Sequence, residues 1–186
     1  RVVERRPLER TWRGRRVLTN PAPAFGGRLL AAALDELDGL DLPAGDPRWV
    51  AAQVDAAASV DARRSALVAP DRPTATRGTT HISVWDGAGG AASMTTSNGE
   101  CSGDVVPGTG ILTTNILGEE DLHPDGFHSA PPGLRVASMM SPTIVVGPDG
   151  RTEIVLGSGG SKRIRSAITQ VLVNVVVHGA DPATAV

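Results

Sequence analysis

With 186 residues, 40% of them apolar, the chain is long enough to bury the core of one domain of ordinary size. A formal net charge of -2 marks neither a polyanion binder nor an acidic tail. Its single cysteine, Cys101, excludes an internal disulfide framework and any multi-cysteine zinc site, and no apolar run approaches the roughly 20 residues of a membrane span.

The chain opens at Arg1 without an initiator methionine, which reads as a piece of a longer precursor and leaves the compartment open. Arginine outnumbers lysine 17 to 1, the bias of a GC-rich coding sequence. In the opening segment Arg1, Arg5, Arg6, Arg10, Arg13, Arg15 and Arg16 have the density of a nucleic-acid arm. Glu4 and Glu9 interrupt the run and only Trp12 offers a stacking ring, so no nucleic-acid partner is expected. Residues 17–27 read as a short strand and a Pro/Gly-rich loop, followed by helical spacing of Leu29, Leu30, Ala33, Leu34 and Leu37 with Asp35, Glu36 and Asp38 turned to solvent. A second helix is predicted over 47–67, burying Trp49, Val50, Val54 and Val60, and then an exposed linker over 69–78.

From Thr79 the period changes to two. Thr80, Ile82 and Val84 alternate with His81, Ser83 and Trp85, and Asp86-Gly87-Ala88-Gly89-Gly90 turns the chain into a strand through Ser97. A glycine-rich loop runs to Gly110, Ile111 to Asn115 follows, and then a polar segment with Glu119, Glu120 and Asp121. Residues 143–147 and 151–156 read as a hairpin about Pro148-Asp149-Gly150, and Gly157-Ser158-Gly159-Gly160 leads into a helix over 161–178. Helices, then antiparallel strands, then a helix predict a layered α+β fold.

The chemistry concentrates at Gly78-Thr79-Thr80. A threonine hydroxyl is a weak nucleophile without an adjacent base, but a threonine released at its own N-terminus carries an α-amine of pKa about 7.7 to 8.0 within reach of that hydroxyl. Gly78, without a Cβ, leaves the preceding carbonyl open to attack. The plain alternative is a turn entering a strand. The four histidines lack ligand spacing of the His-Glu-x-x-His type, so structural or surface roles are expected for His81, His123, His128 and His178. Cys101 is expected to be a bystander thiol, and no metal site is expected.

Four ordered segments carry a family likeness: Thr79-Thr80-His81-Ile82-Ser83-Val84-Trp85-Asp86, Pro107-Gly108-Thr109-Gly110-Ile111-Leu112, Ser138-Met139-Met140-Ser141-Pro142-Thr143-Ile144-Val145 and Gly157-Ser158-Gly159-Gly160-Ser161. Together they resemble the γ-glutamyltranspeptidase (glutathione hydrolase) family of N-terminal-nucleophile hydrolases. Upstream, Trp12-Arg13-Gly14 and Asn20-Pro21-Ala22-Pro23-Ala24-Phe25-Gly26-Gly27 echo the family's large subunit.

The resemblance implies a partial four-layer αββα sandwich and a precursor cut between Gly78 and Thr79. Residues 1–78 would end the large subunit and 79–186 begin the small one, the two remaining paired. Thr79 would be the nucleophile, Ser97 the hydroxyl that supports it, and Gly159 and Gly160 the oxyanion-hole donors. Ser138 fits the family's carboxylate-binding serine, and Met139, in place of a second serine, is the other substrate-binding candidate of that segment. Asp121, Glu120 and Glu100 are the candidates for holding the substrate ammonium. Implied partners are glutathione and other γ-glutamyl compounds, with water, amino acids or dipeptides as acceptors, and no cofactor. An uncleaved scaffold without turnover and an acyl amidase of the same superfamily, acting on acylated β-lactam nuclei, are the competing readings.

Overall fold

A computed structural model describes residues 3–65, 79–119, 122, 123, 126 and 128–186, with the side chains of 64 and 65 left out. The predicted linker, Gly78, Glu120 and Asp121 lie outside the described residues.

The arginine-rich opening is a hairpin, β1 (Leu8–Trp12) and β2 (Arg15–Thr19), where the sequence predicted a strand only from residue 17. Its two turn residues, Arg13 at φ 49° and Gly14 at φ 74°, take the left-handed values of a type I′ turn, which matches the twist of the flanking strands. The four arginines of the hairpin find partners within the molecule. Arg16 pairs with Glu9 and Arg15 with Glu153, each at 2.6 Å, while Arg10 pairs with Asp35. Arg13 donates to the Leu40 carbonyl at 2.7 Å and lies 5.3 Å from the ring centre of Trp49.

Helix α1 (Gly26–Leu37) buries Leu30, Ala33, Leu34 and Leu37, the face its spacing predicts. It starts three residues before Leu29 because the 138–141 segment seats its N-terminus: Phe25 and Gly26 N–H both donate to the Ser138 carbonyl, at 2.8 and 3.0 Å. Helix α2 (Arg48–Ser65) buries Trp49, Ala56 and Val60, but leaves Val50 66% and Val54 62% exposed, against expectation. At 100° per residue Trp49, Ala56 and Val60 fall on one stripe, and Val50 and Val54 on another about 100° or more away. A buried Arg165 on the third helix pairs with Asp61 of α2.

That third helix, α3 (Ile164–Leu172), follows a 3₁₀ turn over Ser161–Arg163 and widens into a π-helical turn over Val173–Val177, closed by His178 N–H on Val173 O. His178 accepts the Gly45 N–H on Nδ1 at 3.0 Å and meets Trp49 edge-on, a structural role as expected. A short α4 (Pro182–Ala185) is capped by Asp181, which accepts Ala183 and Thr184 N–H.

Strands β3 (Thr79–Trp85), β4 (Ala91–Ser97), β5 (Thr143–Val146) and β6 (Thr152–Leu156) fall where alternation and the intervening turns predict them. β1-β2-β5-β6 form one antiparallel sheet, and β3-β4 a separate two-stranded one. Ile111 to Asn115 forms no strand, only an isolated bridge between Val105 and Leu112. Around it Ser102 and Thr109 hydroxyls bond the backbone of their own loop, offering it partners other than a ladder. Val17 and Val145 on the larger sheet pack with Leu30 and Leu34 of α1 and Ile164, Ile168 and Leu172 of α3, forming the main core.

β3 runs along β6 in the opposite sense. Gly89 meets Thr152 at one end, Ser83 bonds the Val155 carbonyl midway, and His81 lies against Gly157 beyond the strand end. The hairpin turns its polar set, Thr79, His81, Ser83, Ser93, Thr95 and Ser97, toward this contact. Ile82, Val84 and Met94 on the other set are 45, 53 and 53% exposed.

Candidate active site

Thr79 is the first residue of β3, and the antiparallel register pairs it with Ser97, the last of β4. Paired side chains share a face, so the two hydroxyls meet, with Thr79 Oγ1 and Ser97 Oγ 3.1 Å apart. Ser97 Oγ also accepts the Gly99 N–H at 3.0 Å, which fixes its rotamer and leaves its own proton available to Thr79.

The Gly157–Gly160 loop, leaving β6, passes beside Thr79. A Cβ at Gly159 would stand 3.3 Å from both Cβ and O of Thr79, so the glycine faces the threonine across little more than the width of a methyl group. Gly160, at φ 113°, takes a conformation closed to other residues, and its carbonyl accepts Arg163 N–H at 3.0 Å as the helical segment begins. Backbone N–H groups before a helix sit in the positive end of its dipole, the environment an oxyanion needs.

Below Thr79 on the same face, His81 is held at both ring nitrogens. Nδ1 lies 2.8 Å from Thr95 Oγ1 and Nε2 3.0 Å from Ser83 Oγ, which in turn donates to Val155 O at 3.0 Å. Partial burial pushes the imidazole pKa below its usual value of 6.5.

On the other side of Ser97, the turn Asn98-Gly99-Glu100 is clasped by Asn115. Its Oδ1 accepts Glu100 N–H at 2.7 Å, and its N–H donates to Asn98 O at 3.3 Å. Glu119 Oε1 lies over Gly99 beside Asn115 Oδ1, so a Cβ there would overlap both. Glu100 is thus close in the chain and its side chain is exposed. Asn115 and Glu119 complete this rim, and sequence reading passed them over for the acids that follow. The signal available was their place at the edge of and within the polar segment that carries Glu120 and Asp121.

Ser138 is less directly placed. Its Oγ accepts Met140 N–H at 3.0 Å and its carbonyl seats α1; among the described residues no hydrogen bond joins it to Thr79 or Ser97. Met139 is 6% exposed and packs into the core, so its side chain is not available to a substrate, contrary to the candidate role assigned it. Cys101, at φ 66°, is part-exposed in the loop after Glu100. No group of three His, Cys, Asp or Glu suited to a metal occurs among the described residues.

Residues 48–186 match the family described as Gamma-glutamyltranspeptidase. The chain belongs to the γ-glutamyltranspeptidase family. Among curated relatives, it is 29% identical over 96% of its length to the acylase ACY 1 proenzyme of Pseudomonas sp. strain V22. It is 28% identical over its full length to the glutathione hydrolase proenzyme of Escherichia coli K12. It spans 39% and 41% of these two relatives. The structure of cephalosporin acylase from Bacillus halodurans matches 95% of this chain and 38% of its own length with a TM-score of 0.69 at 23% identity. That likeness shows the fold: the mixed helix-and-sheet arrangement is part of an N-terminal-nucleophile hydrolase fold. Within the family, the described residues supply one helical layer and both sheets of the expected four-layer sandwich.

Proposed function

We propose that this chain carries the nucleophile and oxyanion loop of a self-cleaving γ-glutamyltransferase or glutathione hydrolase. The observation that carries the reading is the Thr79 hydroxyl, paired with Ser97 at the head of β3 and packed against the Gly159 backbone. Residues 1–78 would then end a large subunit and residues 79–186 begin the small catalytic one, the two staying paired through the shared core.

In the first reaction Thr79 Oγ attacks the Gly78 carbonyl carbon. The bond from that carbon to the Thr79 nitrogen breaks, the nitrogen takes up a proton, and an ester remains; water then cleaves the ester to a Gly78 carboxylate and a free Thr79 hydroxyl and α-amine. In the second, the amine takes the hydroxyl proton as Oγ attacks the γ-carbonyl of glutathione or another γ-glutamyl amide. N–H groups of Gly159 and Gly160 bear the developing oxyanion charge, and the amine passes its proton to the leaving nitrogen. The γ-glutamyl ester is resolved by water or by an amino acid or dipeptide amine, a double displacement with ping-pong kinetics. Ser97 steadies Oγ, Ser138 is assigned to the substrate carboxylate, and Glu100, Glu120 and Asp121 to its ammonium.

Mass spectrometry of the complete protein is expected to find a fragment starting at Thr79. Thr79→Ala should yield an unbroken chain that releases no amine from a γ-glutamyl anilide. Cleavage at the same bond in that variant would assign the nucleophile elsewhere.

The similarity to an acylase proenzyme across nearly the whole chain supports a second reading, an amidase for acyl groups without an α-amine. Comparing glutathione with an amide lacking the α-amine separates the two. A strong preference for glutathione supports the ammonium contacts, and equal rates favour the acylase.

A further inference from the structure

His81 has no part in the reactions above, yet it touches both strands of the Thr79 hairpin and the Gly157–Gly160 loop. Its Nδ1 meets Thr95 of β4, its Nε2 meets Ser83 of its own strand, and through Ser83 it reaches the Val155 carbonyl of β6. The chain of bonds has one direction. A serine hydroxyl has one proton, and Ser83 gives it to Val155 O, so Ser83 Oγ must accept from His81 Nε2–H. Nδ1 is then bare and accepts the Thr95 hydroxyl proton. The ring is therefore locked in one tautomer and one orientation.

The face of that locked ring is what Gly157 rests on. A Cβ at Gly157 would stand 2.7 Å from His81 Cγ, and closer still to Nδ1 and Cε1, so only a glycine can approach the imidazole this way. Gly157 begins the loop whose Gly159, two residues on, packs on Thr79, itself two residues before His81 on the same face of β3. Ring and nucleophile thus share a rigid strand, and the loop touches both.

We infer that His81 is a positioning residue: its imidazole is the post that sets the height of the Gly157–Gly160 loop above Thr79. The inference rests on the assignment of Thr79 as nucleophile and of the loop as oxyanion donor. Removing the post leaves Thr79 and its amine in place but lets the N–H groups settle away from the oxyanion. Displacement of about 1 Å at a reacting centre costs on the order of 100-fold in rate. The loss should fall on turnover, since the loop meets charge only in the transition state.

The test uses the complete protein, with turnover of a γ-glutamyl anilide and the rate at which the Thr79 terminus forms. His81→Ala is expected to lower kcat roughly 100-fold with KM within about threefold, and to slow self-cleavage in step. His81→Asn, whose amide oxygen takes the place of Nδ1 and whose Cγ still backs Gly157, should recover kcat to within about tenfold of the parent. Gly157→Ala, which drives the ring aside, should lose kcat as His81→Ala does. The double variant His81→Ala/Gly157→Ala should be no worse than either single, because the vacated ring space accepts the new methyl. Unchanged kcat in His81→Ala, a defect confined to KM, or losses that add in the double variant would each overturn the inference. Should His81→Ala fail to fold, His81→Asn and Gly157→Ala decide it alone. Thr79→Ala separates the two levels: an active Thr79→Ala refutes the nucleophile, whereas an inert one beside parental His81 and Gly157 variants refutes only the post.

Discussion

A hydroxyl at the end of a strand is ordinarily solvated and idle; Thr79 differs because the strand opposite ends in another hydroxyl. Ser97 is the only side chain bonded to Thr79 among the described residues, so its replacement isolates that contact. Ser97→Ala is expected to lower kcat roughly 10- to 100-fold, and Ser97→Thr, which keeps the oxygen, to retain most activity; steady-state kinetics on a γ-glutamyl anilide check both. His81 adds a pH signature. Its pKa is lowered in the folded state by desolvation, so the unfolded chain binds the proton more readily. The corresponding stability is fully present above the ordinary value of 6.5 and is lost as pH falls through the lowered folded value. The urea midpoint of the parent should therefore drop more between neutral and acidic pH than that of His81→Asn. At this scale the meeting of Thr79 with Ser97 and the nearness of Gly159 were legible because short motifs mark their positions. Asn115 and Glu119 were not, since their clasp on Gly99 depends on how two loops fold together.

Elements were readable wherever one period ran without interruption. β3 alternates, β4 follows a marked turn and α1 repeats its leucines, so their existence followed from pattern. Which side of the β3–β4 hairpin faces inward did not follow. Alternation suggests that Ile82, Val84 and Met94 are buried, whereas the hydroxyl-bearing set makes the contact with β6. β1 was missed because charge masked its alternation and its turn is Arg-Gly, not the common Asn-Gly. In α2 valine was a poor guide to burial: Val54→Gln should shift stability by less than about 0.5 kcal/mol, while Val60→Ala should cost about 2 kcal/mol, measured by urea unfolding. The start of α1 is tighter than its sequence suggests. A methyl at Gly26 would lie 2.6 Å from the Met139 carbonyl carbon, so Gly26→Ala is expected to destabilise by roughly 1–3 kcal/mol.

Over the whole molecule, one core joins segments from both sides of the Gly78–Thr79 bond: Val17, Leu30 and Leu34 from before it pack with Val145, Ile164 and Leu172 from after it. Cleavage there would leave the two pieces joined by that core, by the β2–β5 ladder and by the Arg15–Glu153 and Asp61–Arg165 pairs, and they are expected to co-elute in size-exclusion chromatography until denaturant is added. The layered fold was legible because helices and strands come in blocks along the chain. The packing of hairpin on sheet was not, because hydroxyl-to-carbonyl bonds such as Ser93 Oγ to Leu156 O leave no periodic trace.

The ladder from Thr79–Ser97 to Trp85–Ala91 has no bulge, and its far end is stapled by Asp86, whose carboxylate accepts the N–H of both Ala88 and Gly90. Seven residues at about 3.3 Å each put that staple some 20 Å from the Thr79 hydroxyl. A strand has only two faces, so a slip of one residue at the staple would turn Ser97 away from Thr79 altogether. The remote turn works as a gauge block: the geometry of the Thr79–Ser97 end is set, in whole-residue steps, by five residues that never touch it.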